Sequence, residues 1–424
     1  MPPLNASRVD ALLKERYRKA VPQMYESAKT FCARLKKRED VELVGKRTIR
    51  AAKKMTPGGQ FRTFNPDGGD MGRGSGARYE VTTLTTLPLL LALEKTKSAM
   101  WETEQSELAI KNAVQEQLMD GVSEFATQCD RHLMGNGNGV LATIFSGGGT
   151  ATLVMTAPNR SRWLREGNKY SVYNAALGVN KSATDGVIEV DLNDTTTGTV
   201  TIVNTPANPM VAAAVDGDHL LVDNIQGANP AWINGLRYHH NSSATGFWMG
   251  LNRATFAQLR TCEVAAGGAL VPTFFRQLKN RMAMLRDDCF KTGSWSWFMS
   301  PAQQQAYEEL SLQITTRRRD GTNRQGPELL DNVDELEIDG MEALISTNAD
   351  PSIIDLVRWD NWWRGETVEF GLYTVDEIDT FPIYGASGGI AAADIMYFAQ
   401  LAQWGTDDPR AAGYISGLTV PSGY

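Results

Sequence analysis

The chain has 424 residues, 42% of them hydrophobic and 21% charged, with a formal net charge of −7 from 42 Lys and Arg against 49 Asp and Glu. The length predicts two or three domains, and the balance of apolar and charged residues excludes a wholly disordered or fibrous chain. The acidic excess excludes a dedicated nucleic-acid grip by the whole chain, but it hides a gradient. Residues 1–80 hold 18 bases and 9 acids, net +9, whereas residues 331–424 hold 3 and 17, net −14. Such asymmetry fits either a nucleic-acid arm or two surfaces of like copies that meet.

Residues 6–38 read as an amphipathic helix, with Leu12, Leu13, Tyr17, Met24, Phe31, Cys32 and Leu35 at three- and four-residue steps and a basic opposite face; Pro22 divides it. From 45 to 105 the pattern opens, and seven glycines between Gly58 and Gly76 predict a long excursion between two extended arms. Tyr79, Val81 and Thr83 alternate as in a strand. A helix of about 28 residues is then expected, capped by Ser106, striped by Ile110, Val114, Leu118, Val122, Phe125, Cys129 and Leu133, and stopped by Gly135. Residues 150–240 change to short β-like runs separated by turns, a compact all-β module. Helices follow after Asn252, from Pro272 to Cys289, and at Ser300-Pro301, where Ser300 and Gln303 form a capping box. The acidic remainder mixes strands with a final apolar stretch, Ile390 to Trp404.

Motifs offer little chemistry. GNGNG at Gly135–Gly139 and GRGSG at Gly72–Gly76 lack the spacing of a dinucleotide loop and the lysine of a P-loop, so they read as turns. The histidines His132, His219, His239 and His240 lack metal-ligand spacing, and SGGG at Ser146 is no nucleophile elbow. Trp359, Trp362 and Trp363 suit a core or an interface better than a stacking platform, and the Asp407-Asp408 pair reads as surface charge. The four scattered cysteines read as reduced core thiols. The charged start is unlike a signal peptide, and Leu87 to Leu93 is too short to span a membrane, so a soluble protein made in a cytoplasm is expected. No catalytic, cofactor or metal residues are assigned, so the expectation is a non-enzymatic protein that builds or binds.

The order of segments resembles the tailed-bacteriophage major capsid protein family. DRHLMGNGNGVLATI at Asp130–Ile144, SWFMSPAQQQAYEEL at Ser296–Leu310, MEALISTNADPSIIDLVRW at Met341–Trp359 and DDPRAAGYISGL at Asp407–Leu418 carry the resemblance. It implies an α+β fold with an N-terminal arm (1–44), an extended loop (45–105), a spine helix opening a peripheral domain (106–149), an axial domain (241–365) and a return to the peripheral domain (366–424). The β module at 150–240 departs from the minimal pattern and reads as an inserted domain displayed on the outer surface. The implied function is a shell subunit forming pentamers and hexamers of an icosahedral capsid around double-stranded DNA, assembled in the host cytoplasm and located in the virion. Its partners would be itself, scaffold, portal or decoration proteins, and DNA by non-specific contact. The charge gradient nominates Lys36, Lys37, Arg38, Lys46, Arg47, Arg50, Lys53, Lys54, Arg62, Arg73 and Arg78 as inter-subunit contacts, meeting acids of neighbouring copies.

Two other readings stand beside it. One is a nanocompartment shell of the same fold around an enzyme cargo. The other is a carbohydrate-binding or hydrolytic protein using the β module with Trp163, Trp232 and Trp248.

Overall fold

A computed structural model describes residues 30–38, 42–44, 47–61, 63, 73–96, 113–204, 207–225, 227–286, 289–317, 336–373, 381–384 and 390–421. The expected helix over 6–29 and the Ser106 cap lie outside these residues. The backbone of the first body is the strand Ile390–Thr406, which pairs antiparallel with Leu87–Thr96 on one edge and with Trp362–Leu372 and Phe381–Tyr384 on the other. Lys36–Lys37 adds a short parallel pairing to Trp362–Leu372.

Helix α1 (Ala113–Leu133) crosses this sheet, and Gly121 allows close approach, since a Cβ there would stand 2.9 Å from Leu93 Cδ1. Its inner stripe is only partly the expected one. Cys129 and Leu133 are buried and Phe125 packs on Phe370 at 4.6 Å between ring centroids, but Val122 is 41% exposed beside an open groove.

The chain leaves the helix through the GNGNG turn, where Gly137 and Gly139 take positive φ, and enters a closed barrel. Its strands are Val140–Ser146, Thr152–Met155, Lys169–Tyr173, Ile188–Asp194, Thr199–Ile202 and His219–Val222. The barrel thus takes in Val140–Ser146, ahead of the change of register at 150. Leu153, Val172, Ile188, Val190, Val200 and Leu220 fill it with no exposed surface. Closure matters because short strands of this kind would otherwise present unpaired backbone at two edges. The barrel is fastened to the body by Trp163 Nε1–H donating to Asn348 O (3.1 Å) and by a two-toothed pair between Arg165 and Glu124.

A second core lies in a six-stranded mixed sheet ordered Cys262–Gly268, Ala412–Leu418, Ile354–Arg358, Trp295–Met299, Met341–Ile345 and Glu337–Ile338. Helix α2 (Thr273–Leu285) covers it through Phe275, Leu278 and Met282, while Leu285 is 57% exposed, outside the expected stripe. Helix α3 (Pro301–Arg317) starts as expected, with Pro301 first. Its capping box is only half formed: Ser300 Oγ accepts weakly from Gln303 N (3.4 Å), but Gln303 Nε2 donates to Pro351 O (2.7 Å) instead of reaching back.

Two sequence expectations change. No helix follows Asn252; its side chain accepts from Ala254 N, and only a 3-10 turn at Ala257–Leu259 forms before the next strand. The helical reading also fails over 30–38, which is a 3-10 turn at Cys32–Arg34 followed by the Lys36–Lys37 strand. The cause is tertiary. Asp130 Oδ1 on α1 accepts from Phe31 N (2.9 Å) and Cys32 N (2.7 Å), Asp130 Oδ2 accepts from Asn348 Nδ2 (2.8 Å), and Phe31 is fully buried against Phe298, Trp359 and Trp362. These bonds hold the chain more firmly than another helical turn would.

Replacing Asp130 by Ala strands two buried donors and one part-buried one, and is expected to cost about 3 kcal/mol in urea unfolding. Buried His239 gives a second prediction. Its Nδ1 accepts from Trp248 Nε1 (3.1 Å), and desolvation foremost, with the charges of His240 and Arg253, pushes its pKa down to about 3. The unfolded chain takes up this proton below about pH 6.5 and the folded one does not, so stability falls as pH drops from there toward 3, by up to about 1.4 kcal/mol per unit. His239→Gln should make the urea midpoint less steep in pH than the wild type between pH 6.5 and 5.

Candidate inter-subunit surfaces

The hairpin formed by Thr48–Thr56 and Arg78–Thr85, with Glu42–Val44 on its edge, carries much of the basic excess. Strand alternation divides its residues between two faces. Ile49 and Leu84 face inward, onto a small core of Trp248, Met249, Leu251, Phe256 and Leu259, and Thr83 N donates to Met249 O (2.9 Å). This locks the base of the hairpin to the body. The outward face pairs Arg50 with Thr83, Ala52 with Val81 and Lys54 with Tyr79; Tyr79 and Val81 are 63% and 52% exposed.

The structure separates the nominated cations into two groups. Lys37, Arg38, Lys53 and Arg78 find partners in their own chain. Lys37 pairs with Glu369, with Glu366 at 3.8 Å; Arg38 and Lys53 both reach Asp407 Oδ1 at 2.6 Å; Arg78 reaches Glu80 at 2.8 Å and lies 4.5 Å over the Phe256 ring. Lys36, Arg47, Arg50, Lys54 and Arg73 are exposed and make no ion pair among the described residues. Lys46 and Arg62 lie outside the described residues.

With the two-toothed Arg34–Glu342 pair at 2.6 and 2.9 Å, which the sequence did not suggest, five contacts join residues more than 300 apart. The only sequence signal for Arg34 was its place in the basic run ending at Arg38. Within one chain, Lys37, Arg38 and Lys53 already stand beside acids of the acidic end. Glu366 and Glu369 sit on the strand Trp362–Leu372 and Asp407 just past the end of Ile390–Thr406, so the closest opposite charge is in the same chain.

Asp407 is the centre of this joint. Burial by itself would raise its carboxyl, but hydrogen bonds and charge from Lys53 and Arg38 outweigh it and hold the group below its ordinary value. Asp408 is likewise engaged rather than a free surface charge, accepting from Arg286 and Arg410 at 3.2 Å. The tryptophans are structural. Trp359, Trp362 and Trp363 are buried, as are Trp163 and Trp248, and Trp248 belongs to the hairpin's core, while Trp232 is half-buried with the His132 ring 5.7 Å from it. Among the described residues no group of His, Cys, Asp and Glu is arranged to hold a metal, and no helix is long and apolar enough to cross a membrane.

Because Asp407 is depressed, its contribution to stability is complete above about pH 4 and is lost as pH falls through the lower folded value. Asp407→Asn should lower the urea midpoint at pH 7 and remove that part of the acid dependence, while Arg50→Glu should leave the unfolding free energy within about 0.5 kcal/mol.

No family model and no curated sequence matches the chain. Among solved structures, the capsid asymmetric unit of cyanophage A-1(L) matches 98% of this chain and 100% of that one, at 9% identity and a TM-score of 0.56. An empty GTA particle capsid (TM-score 0.48, 8% identity, 98% of each chain) and the SrpI encapsulin of Synechococcus elongatus PCC 7942 (0.46, 8% identity, 100% and 99%) also match, at scores too low to carry weight. The cyanophage match spans the sheet with its spine helix, the barrel, the second sheet and the hairpin together. The chain thus has the fold of a tailed-phage major capsid protein.

Proposed function

We propose that this chain is the major capsid subunit of a tailed phage, a non-enzymatic protein that assembles into pentamers and hexamers of an icosahedral shell around double-stranded DNA. The observation that carries the reading is the fold likeness to a capsid subunit over both full lengths. In this reading residues 1–44 are the arm, 45–105 the extended loop, 106–149 the opening of the peripheral domain, 241–365 the axial domain and 366–424 the return. The barrel is the inserted module, facing outward; scaffold, portal or decoration proteins and packaged DNA are further partners, and the shell forms in the host cytoplasm.

The charge distribution supports this role in a modified form. The outward hairpin face keeps Arg50, Lys54, Tyr79 and Val81 free of the body, a mixed basic and apolar surface of the kind that suits a neighbouring copy. A subunit of this kind gains from many weak contacts repeated around a ring, so none needs to be strong alone. A net acidic subunit also avoids holding the genome too tightly, because each phosphate contact adds to affinity and to its salt dependence.

Negative-stain electron microscopy of the purified chain tests the proposal. Rings or shells are expected, and shells purified from infected cells should contain DNA. Monomers at all concentrations and salt conditions would overturn it, and shells holding a protein cargo without DNA would favour the nanocompartment. Reversing Lys36, Arg47, Arg50 and Lys54 to Glu should abolish assembly while the unfolding midpoint changes little; reversing Lys37, Arg38 and Lys53 should lower the midpoint itself.

A further inference from the structure

We infer that Cys32 and Cys129 form an oxidation site, a pair of thiols that hydrogen peroxide converts to a disulfide between the N-terminal segment and the spine helix of one chain. The chemistry stands on the geometry of that chain; only its timing rests on the shell-subunit reading.

Both cysteines line the same groove, an opening of about 400 Å³ beside α1. Cys129 is buried on the helix, whereas Cys32 is half-buried and packs against the core to which Cys129 belongs. The backbone brings them together. Cys32 N donates to Oδ1 of Asp130, the residue after Cys129, at 2.7 Å, and the 3-10 turn at Cys32–Arg34 packs on α1. The Cys129 thiol is pushed up first by burial and next by the charge of Cys32, so each sulfur lies within the other's field. Cys262 and Cys289 belong to the second core and do not line this groove.

Burial also sets the reactivity. It pushes the Cys32 thiol up to about 11, with Asp130 adding to the rise and Arg364 opposing it, so little thiolate exists at neutral pH. Arg364, Glu366 and Glu369 on Trp362–Leu372, Lys37 on the N-terminal segment and Asp130 on α1 are the charged groups around the pair among the described residues. The thiols therefore persist in a reducing cytoplasm and react slowly outside it. For a shell subunit, the link forms after the particle has left the host.

The step balances. Cys32 Sγ, as thiolate, attacks one peroxide oxygen; an S–O bond forms, the O–O bond breaks, and the departing oxygen takes up the thiol's proton as water. Cys129 Sγ then attacks Cys32 Sγ, an S–S bond replaces the S–O bond, and the second oxygen leaves as water with the second thiol's proton. Two electrons pass from the sulfurs to the peroxide. The link closes a loop of about 100 residues and so removes much of the unfolded chain's freedom. It holds covalently the two elements that Asp130 already holds by hydrogen bonds.

The test treats the purified full-length chain with hydrogen peroxide, blocks remaining thiols with iodoacetamide in urea, and maps the peptides without reduction. The expected product is one link from Cys32 to Cys129 of the same chain, with Cys262 and Cys289 recovered alkylated. Its rate should rise about tenfold per pH unit from pH 7 to 9, following the thiolate. The urea midpoint should rise on oxidation and return with dithiothreitol. Cys129→Ser should instead give a Cys32 sulfenic acid, trapped by dimedone, with no rise in the midpoint. Cys32 recovered with its thiol intact, a link to Cys262, Cys289 or a second copy, or a link that leaves the midpoint unchanged would overturn the inference. Particles released from cells straight into iodoacetamide should carry both thiols, and a link already present there would overturn the timing. A chain that forms the link but no shells leaves this inference standing and sinks the shell reading.

Discussion

One buried carboxylate sets the geometry on which the rest depends. Asp130 points from the spine helix into a place with almost no water, and such a charge is tolerated only when donors surround it. It has three: the N–H groups of Phe31 and Cys32 and the amide of Asn348. Burial pushes its carboxyl up and these hydrogen bonds oppose that push. Helix, N-terminal segment and the loop after Met341–Ile345 are therefore joined at one point. Phe31 is carried with them into the aromatic cluster of Phe298, Trp359 and Trp362, where edge-to-face packing adds to the burial.

The consequence reaches the charges. Once Phe31 and Leu35 are pinned, the basic run must leave along Trp362–Leu372, which is why Lys37 comes to Glu369 and Arg38 comes to Asp407. Lys53 arrives at Asp407 from the hairpin, because its face of the strand is turned to the body. The +9 and −14 ends of the chain therefore partly neutralise one another within the subunit. What remains unpaired is displaced outward, on Arg50 and Lys54 and toward the loop tip at Arg73. That arrangement keeps part of the charge pairing inside the chain and leaves a basic surface exposed.

The barrel shows a similar division of labour. Its interior is filled by its own strands, its core is continuous with that of the body, and Trp163 and Arg165 tie it to Asn348 and Glu124. The Asn348 side chain also serves Asp130, so the barrel's attachment and the helix's anchor share a residue. Gly235 is packed where a Cβ would stand 2.4 Å from Leu133 O, which holds the segment leaving the barrel against the end of the spine helix.

Local order was legible in the residues. The apolar spacing of Phe275, Leu278 and Met282, the Ser300-Pro301 start and the turn glycines after Leu133 act over a few residues, and the structure repeats them with small changes. The same holds for the tryptophans, whose size alone favours burial. The sequence also determined that a charge gradient exists, because composition is independent of folding. It did not determine where those charges meet. That Cys32–Arg34 turns rather than coils, that Val122 opens onto a groove, and that Lys37, Arg38 and Lys53 are satisfied at home while Arg50 and Lys54 are not, all depend on contacts between residues tens to hundreds of positions apart. Only the tertiary structure decided these, because electrostatic and packing energies fall with distance in space and take no account of distance along the chain.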